Sequence, residues 1–368
     1  MVFGYFQYMT ALIFIIVLAV LIFVHELGHF LVARWSGIRV DAFKLGFGPK
    51  IFAWKRGETE YGVNLIPFGG YVKIHGENPD EESMNGPDAA RSFVNKPRWK
   101  QALVLVAGVG FNFIFAWILY AGGFMSGVTA TSDGFEKYAD DFTDNRVMIT
   151  YVSPGSPAEK AGVREGDVLV VEVGPDPIKA FQDRVDANGA KVLSILIRTN
   201  DESRTVDVIP AKGLVADKYA IGVALQEVGD LKLSFISAIW EGLRYTLVMI
   251  RETTIGLCGF VLNIFRGAAD FSDITGPIGI AGIVGGAARL GFTYLLMIIA
   301  LISINLGVIN LIPFPALDGG RILFVAIEGI IRRRIPIGFT NMVNTIGFCL
   351  LMILMVVVTY KDVAKLFR

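Results

Sequence analysis

Apolar side chains fall in long runs along this chain, and the polar stretches between them differ in character from one gap to the next. Four runs, 8–32, 103–124, 294–312 and 339–359, are long enough to cross a bilayer as helices, which takes roughly 20 residues. Tyr8, Trp35, Trp99 and Tyr360 sit near run ends, where aromatic side chains favour the membrane–water interface. A fifth apolar region, 231–265, contains Glu241, Arg244, Arg251 and Glu252. These charges are expected to cut it into pieces too short to span, so an amphipathic helix lying on the membrane surface is predicted there.

The gap 34–100 carries eleven Lys and Arg, an excess that points to the cytoplasmic side. Arg321 and Arg332–Arg334, between the last two spans, agree; Lys361, Lys365 and Arg368 in the tail weigh slightly the other way. Within the gap, 43–74 is strand-like, with turns at Arg56-Gly57 and Phe68-Gly69-Gly70. It is too apolar for a free loop and too short to span. A β-loop dipping back into the membrane is expected, with an ordinary cytoplasmic hairpin as the alternative. The acidic stretch 77–88, rich in Pro, Gly and Asn, is expected to be a mobile loop.

Residues 146–227 read as a separate soluble α+β module of about 80 residues. Strands are predicted at 147–152, 167–173, 192–198 and 204–209, and helices at 158–161 and 181–187, with a turn at Asn200-Asp201. The module follows the second span and is therefore expected outside the cytoplasm. The chain divides into a first span (1–33), a polar segment with the β-loop (34–101), a second span (102–125) and an extracytoplasmic region holding the module (126–230). A peripheral helix and loop (231–291), a third span with a Pro/Gly break (292–320), a basic loop (321–338), a fourth span (339–360) and a tail (361–368) complete it.

Composition supports a polytopic α-helical membrane protein of about four spans. Of 368 residues 53% are hydrophobic, and mean hydropathy is +0.55. Lys plus Arg (34) balance Asp plus Glu (34), so nothing favours nucleic acid. Cys258 and Cys349 lie in apolar surroundings and are expected to be buried thiols. The first run lacks a basic segment before it and a small-x-small site after it, so a permanent span is expected rather than a cleaved signal peptide.

The chemistry is concentrated in the first run. His25-Glu26-Leu27-Gly28-His29 places two imidazoles four residues apart, on one helical face, where they can grip one metal ion. Glu26 beside them is placed to take a proton from an activated water. Ionisable groups at membrane depth are costly and usually functional. Two histidines do not complete a catalytic zinc site, which has three protein ligands and an open position. Asp318 is the candidate third. It follows the third span in a stretch, 310–320, whose two prolines and two glycines must break the helix. Such a break at membrane depth is tolerated where protein or a water-filled cavity surrounds it. Asn310, also in apolar surroundings, is a candidate to bond substrate backbone or support the site, with helix packing as the alternative. His75, in the polar gap, has no feature placing it near the others. Among divalent ions, His₂Asp favours zinc.

Taken in order, these motifs resemble the site-2 proteases, intramembrane zinc metalloproteases, and most of all the bacterial RseP-like group. The likeness rests on His25-Glu26-x-x-His29, on Asn310-x-x-Pro313-x-Pro315-x-Leu317-Asp318-Gly319, and on Gly46-Phe47-Gly48 followed by Gly69-Gly70-Tyr71-Val72. It also rests on Gly155-Ser156-Pro157-Ala158, Ala161-Gly162 and Gly166-Asp167, which look like a PDZ domain. The better-known members of the group carry two tandem PDZ domains, whereas this chain has room for one. The resemblance implies one Zn²⁺ held by His25, His29 and Asp318, Glu26 as catalytic base, and substrate contacts at Asn310, Gly46, Gly48, Tyr71, Pro313 and Pro315. It implies a bacterial inner-membrane enzyme with its active site towards the cytoplasm, cutting single-span proteins already trimmed by an upstream site-1 protease. Anti-sigma factors and remnant signal peptides are the substrate classes. The PDZ-like module would be a size filter or would capture the new C-terminus. Two rivals use some of the same features: a non-catalytic PDZ membrane scaffold, which would not need Glu26, and a transporter, which the lack of an internal repeat disfavours.

Overall fold

The computed structural model describes residues 2–131, 134–171, 174, 176–199, 202–215, 218–268 and 274–366. In chain order the elements are α1 (Val2–Trp35), β1 (Val40–Arg56), β2 (Thr59–Ile74), α2 (Glu81–Asn85), α3 (Arg98–Ser126), β3 (Val128–Thr131), β4 (Phe142–Val152), α4 (Pro157–Lys160) and β5 (Val168–Leu169). They continue with α5 (Pro177–Asn188), β6 (Leu193–Thr199), β7 (Glu202–Val208), β8 (Ala211–Val215), β9 (Lys218–Ala220), β10 (Val223–Leu231), α6 (Phe235–Phe265), α7 (Pro277–Leu290), α8 (Phe292–Asn310), α9 (Asp318–Ile331) and α10 (Ile337–Leu366). Contacts divide them into two compact units, one built from 1–123 and 235–368, the other from 124–234.

In the first unit the helices α1, α3, α6, α8 and α10 are each long and apolar enough to cross a membrane. α1 stops where Gly37 takes φ +68, a left-handed conformation that ends helices. Small residues let α1 and α3 meet closely: a Cβ on Gly28 would stand 2.4 Å from the Ala107 carbonyl oxygen. Phe30, Ala33, Val40, Phe43, Val72 and Val104 form one buried cluster, joining the end of α1 to the base of the β-ribbon and to α3.

The ribbon folds back on itself. Residues 42–45 of β1 face 70–73 on one side and 60–63 on the other, while 52–56 pair with 59–63. Gly46 (φ +80) and Gly48 (φ +84) permit the reversal, and a Cβ at Gly46 would stand 2.5 Å from the Ile66 carbonyl oxygen. The far half of the ribbon exposes Phe47, Ile51, Phe52, Trp54, Val63, Leu65 and Ile66. An apolar surface of that extent suits contact with lipid rather than water. The turn expected at Arg56-Gly57 is present, with Gly57 at φ +66; at Gly69 (φ +102) the chain bends within β2.

Four expectations need correction. The stretch 77–88 contains α2, closed by a capping box in which the Asp80 carboxylate accepts from Ser83 N and Ser83 Oγ accepts from Asp80 N. Region 231–265 is not cut into pieces by its charges. α6 runs unbroken for 31 residues, and Arg244 reaches Glu241 Oε2 at 2.5 Å, one turn away. Residues 277–290, expected as loop, form α7, which packs against α1 and α8 around Val17, Leu21 and Val284. Cys258 and Cys349 are exposed. Apolar neighbours on a membrane helix signal a lipid-facing surface as readily as a protein core.

The second unit is an antiparallel six-stranded sheet in the order β3-β10-β4-β5-β6-β7, with β8 and β9 as a separate pair. Ile149, Ile197, Val208, Phe181 and Val185 pack its core between sheet and α5. Ser156 caps α4 by accepting from Glu159 N. The strand expected at 167–173 is realised at Val168–Leu169, and its end, residues 172–173, lies outside the described residues, as do Asn200-Asp201.

Candidate metal centre

α1 presents His25 and His29 one helical turn apart, with ring centroids 4.8 Å from each other. α9 begins at Asp318, and its carboxylate meets both rings. His25 Nε2 lies 3.2 Å from Asp318 Oδ2, His29 Nε2 3.3 Å from the same oxygen, and the two Nε2 atoms are 3.2 Å apart. Three electron-pair donors therefore converge in a nearly equilateral triangle. A tetrahedral site with bonds of about 2.0–2.1 Å separates its ligand atoms by about 3.3 Å. Asp318 Oδ2 is buried and faces only these two imidazole nitrogens at 3.2 and 3.3 Å. Spacing and donor chemistry both fit a divalent cation held by this trio.

The broken chain between α8 and α9 delivers Asp318. Pro313 and Pro315 lie in the break, Ala316 adopts φ +73, and its amide donates to Asn344 Oδ1 of α10 at 3.3 Å. Gly319 and Gly320 press directly against backbone: a Cβ would stand 2.2 Å from Ile312 O and 2.3 Å from Phe314 O, respectively. Any larger residue would push the start of α9, and Asp318 with it, out of place.

One face of α3 orients the histidines. His29 Nδ1 donates to the Val104 carbonyl at 2.8 Å. Four residues on, Gly108 leaves room for both rings; a Cβ there would stand 2.3 Å from His29 Nε2. Four further on, the Asn112 side chain stands 3.1 Å from His25 Nδ1. None of these three positions was singled out from the sequence. Val104 acts through its main chain, which leaves no trace in residue type. Asn112 did leave one, as a polar residue inside an apolar run.

Glu26 lines the same cavity as the two histidines and Asp318, a space of about 780 Å³ that also takes in Tyr71, His75 and Arg321. Val72 lines the cavity beside it, and a Cβ on Gly70 would stand 3.6 Å from Glu26 Cγ. Tyr71 stacks on Phe47 with centroids 6.3 Å apart. Arg321 closes one side by pairing with Glu77 and reaching Asn78 Oδ1 at 3.4 Å. His75 stays apart from the trio, with Nδ1 3.9 Å from Asp41 Oδ2. Gly46 and Gly48 shape the ribbon and do not line this cavity; nor do Asn310, Pro313 and Pro315.

Comparison with known proteins gives a consistent result. The profile of peptidase family M50 matches residues 13–354. The chain is 38% identical to a candidate zinc metalloprotease of Clostridium perfringens, covering 93% of this chain and 95% of that one. It is 34% identical to another from Synechocystis sp., covering 97% and 95%. With the zinc metalloprotease RasP of Oceanobacillus iheyensis it shares 27% identity over 97% and 99% of the two chains.

Proposed function

The chain belongs to peptidase family M50, the site-2 proteases, and we propose that it is a membrane zinc endopeptidase that cuts single-span proteins within the bilayer. The observation that carries this is the triangle of His25 Nε2, His29 Nε2 and Asp318 Oδ2 beside Glu26. These three residues would hold the zinc, which when bound acidifies water and polarises a peptide carbonyl. Glu26 accepts the proton of the attacking water and returns it to the leaving amine nitrogen. Gly70–Ile74 is the outer strand of the ribbon, paired on one side with 40–45. An unwound substrate strand adding to it would run past Tyr71 towards Glu26.

Anti-sigma factors and remnant signal peptides, pre-trimmed by a site-1 protease, are the proposed substrates. The proposed setting is a bacterial inner membrane, with the active site on the cytoplasmic side and the second unit, read as one PDZ-like domain, outside. We place α1, α3, α8 and α10 across the bilayer and α6 along its surface. In support, the buried positions of α6, Ala238, Glu241, Gly242 and Thr246, all lie in its first half. They sit where Gly242 meets Ala121 and Tyr245 meets Tyr120 on α3.

Cleavage of a tagged, pre-trimmed single-span substrate in detergent tests the proposal. The wild type should cut within the span, a zinc chelator should stop it, and Glu26→Gln should slow it by about 10²–10⁴-fold while keeping its zinc. If Glu26→Gln cuts at the wild-type rate, the assigned base is wrong. Zinc bound at one per chain with no cutting of any such substrate would favour a scaffold.

A further inference from the structure

Asn112 is wholly buried on α3. Its Nδ2 lies 3.1 Å from His25 Nδ1, whereas its Oδ1, also buried, has no hydrogen-bond partner among the described residues. Its backbone carbonyl accepts from Ser303 Oγ of α8 at 2.9 Å, which fixes the helix at this point. The side chain is therefore held beside the histidine with its acceptor atom unused.

His25 turns Nε2 towards Asp318 and His29. A ring nitrogen that holds a metal gives up its lone pair, so the ring proton must sit on the other nitrogen, Nδ1. An Nδ1–H needs an acceptor, and an amide NH₂ is not one. The oxygen and nitrogen of an amide have nearly the same shape, and half a turn about the last torsion exchanges them. We propose that Asn112 Oδ1 accepts a hydrogen bond from His25 Nδ1–H, making Asn112 a positioning residue that sets the tautomer and ring plane of His25 for metal binding. His29 is held in the same sense by the Val104 carbonyl, so one helix face supplies an acceptor to each imidazole. Partners of this kind raise ligand basicity, and their loss costs about 10–100-fold in metal affinity.

The inference rests on His25, His29 and Asp318 holding zinc, and the test separates the two. Full-length wild type, Asn112→Leu and Asn112→Asp are purified in detergent, and zinc affinity is read by competition with a chromophoric chelator. Leucine has the branching and side-chain heavy-atom count of asparagine, with bulkier methyl ends, but accepts nothing, so N112L should bind zinc about 10–100-fold more weakly. Aspartate offers an acceptor in the same place, so N112D should bind at least as tightly as wild type. If the leucine variant fails to fold, Asn112→Ala, which underfills the site, replaces it with the same expectation. Wild-type affinity in N112L or N112A overturns the inference. So does equal loss in N112L and N112D, since the amide would then act by shape or through its NH₂. If wild type itself holds no zinc, the metal-site assignment fails first and the role of Asn112 falls with it.

Discussion

Replacing Gly108 with alanine adds one methyl group in the middle of α3, and the structure makes it a severe change. The new Cβ would lie 2.3 Å from His29 Nε2 and 2.8 Å from both His25 Cε1 and His29 Cε1. Carbon and its neighbours settle at about 3.5–4.0 Å, so the overlap exceeds 1 Å on an atom assigned to the metal. The rings have little freedom to move aside, because His29 is held by Val104 at 2.8 Å and packs edge-on against His25. Either the rings turn or α1 and α3 part. Metal sites tolerate about ±0.2 Å, so either response should weaken zinc by at least about 10–100-fold, or roughly 1.4–2.8 kcal/mol. Overpacking should also cost about 1–3 kcal/mol of stability. Zinc competition and cleavage would be measured for Gly108→Ala beside Gly110→Ala, where an added Cβ meets nothing within 4 Å. G110A should behave as wild type, since alanine is the better helix former by about 1 kcal/mol. If G108A matches G110A in both assays, the close packing of α3 on the histidines is not what holds the site together.

Two further substitutions probe the third ligand. Asp318→Asn keeps size but removes the charged donor; zinc content by elemental analysis should fall from one per chain towards zero after gel filtration, and full retention would remove Asp318 from the ligand set. Gly319→Ala puts a Cβ 2.2 Å from Ile312 O and 2.4 Å from Leu311 O. It should destabilise the protein by about 1–3 kcal/mol and lower its zinc affinity, whereas Gly329→Ala, on the same helix with open space around it, should do neither; equal melting of the two variants would contradict this.

The donor trio could be anticipated in the sequence because its logic is local. Two histidines four apart define a helix face, and a run of prolines and glycines at membrane depth announces a break built around Asp318. What orients those donors was harder to see. Val104 contributes a carbonyl that every residue has, and Gly108 matters only through what lies opposite it. Asn112 is legible as a polar residue in an apolar helix, as Asn310 is, and of the two it is Asn112 that stands beside a histidine of the trio. The resemblance links the glycines at 46 and 48 to substrate, and the structure adds that their positive φ permits the reversal of the ribbon. α2 is not legible in composition, because an acidic and Pro/Gly-rich stretch suggests disorder, whereas its start depends on two side chains, Asp80 and Ser83, closing on each other's backbone.

The bond from His29 to a main-chain carbonyl also constrains how the molecule can open. A side-chain partner can swing away and return, but Val104 O moves only when α3 moves. With Gly28 seated against Ala107 and Gly108 against the rings, α1 and α3 cannot separate without dismantling the donor trio. A substrate must therefore reach the centre by a route that leaves this helix pair closed, and a disulfide engineered between the two helices away from the rings should leave turnover intact. Traffic through the enzyme is the business of the other flanks of α1, and the α1–α3 seam is its fixed wall.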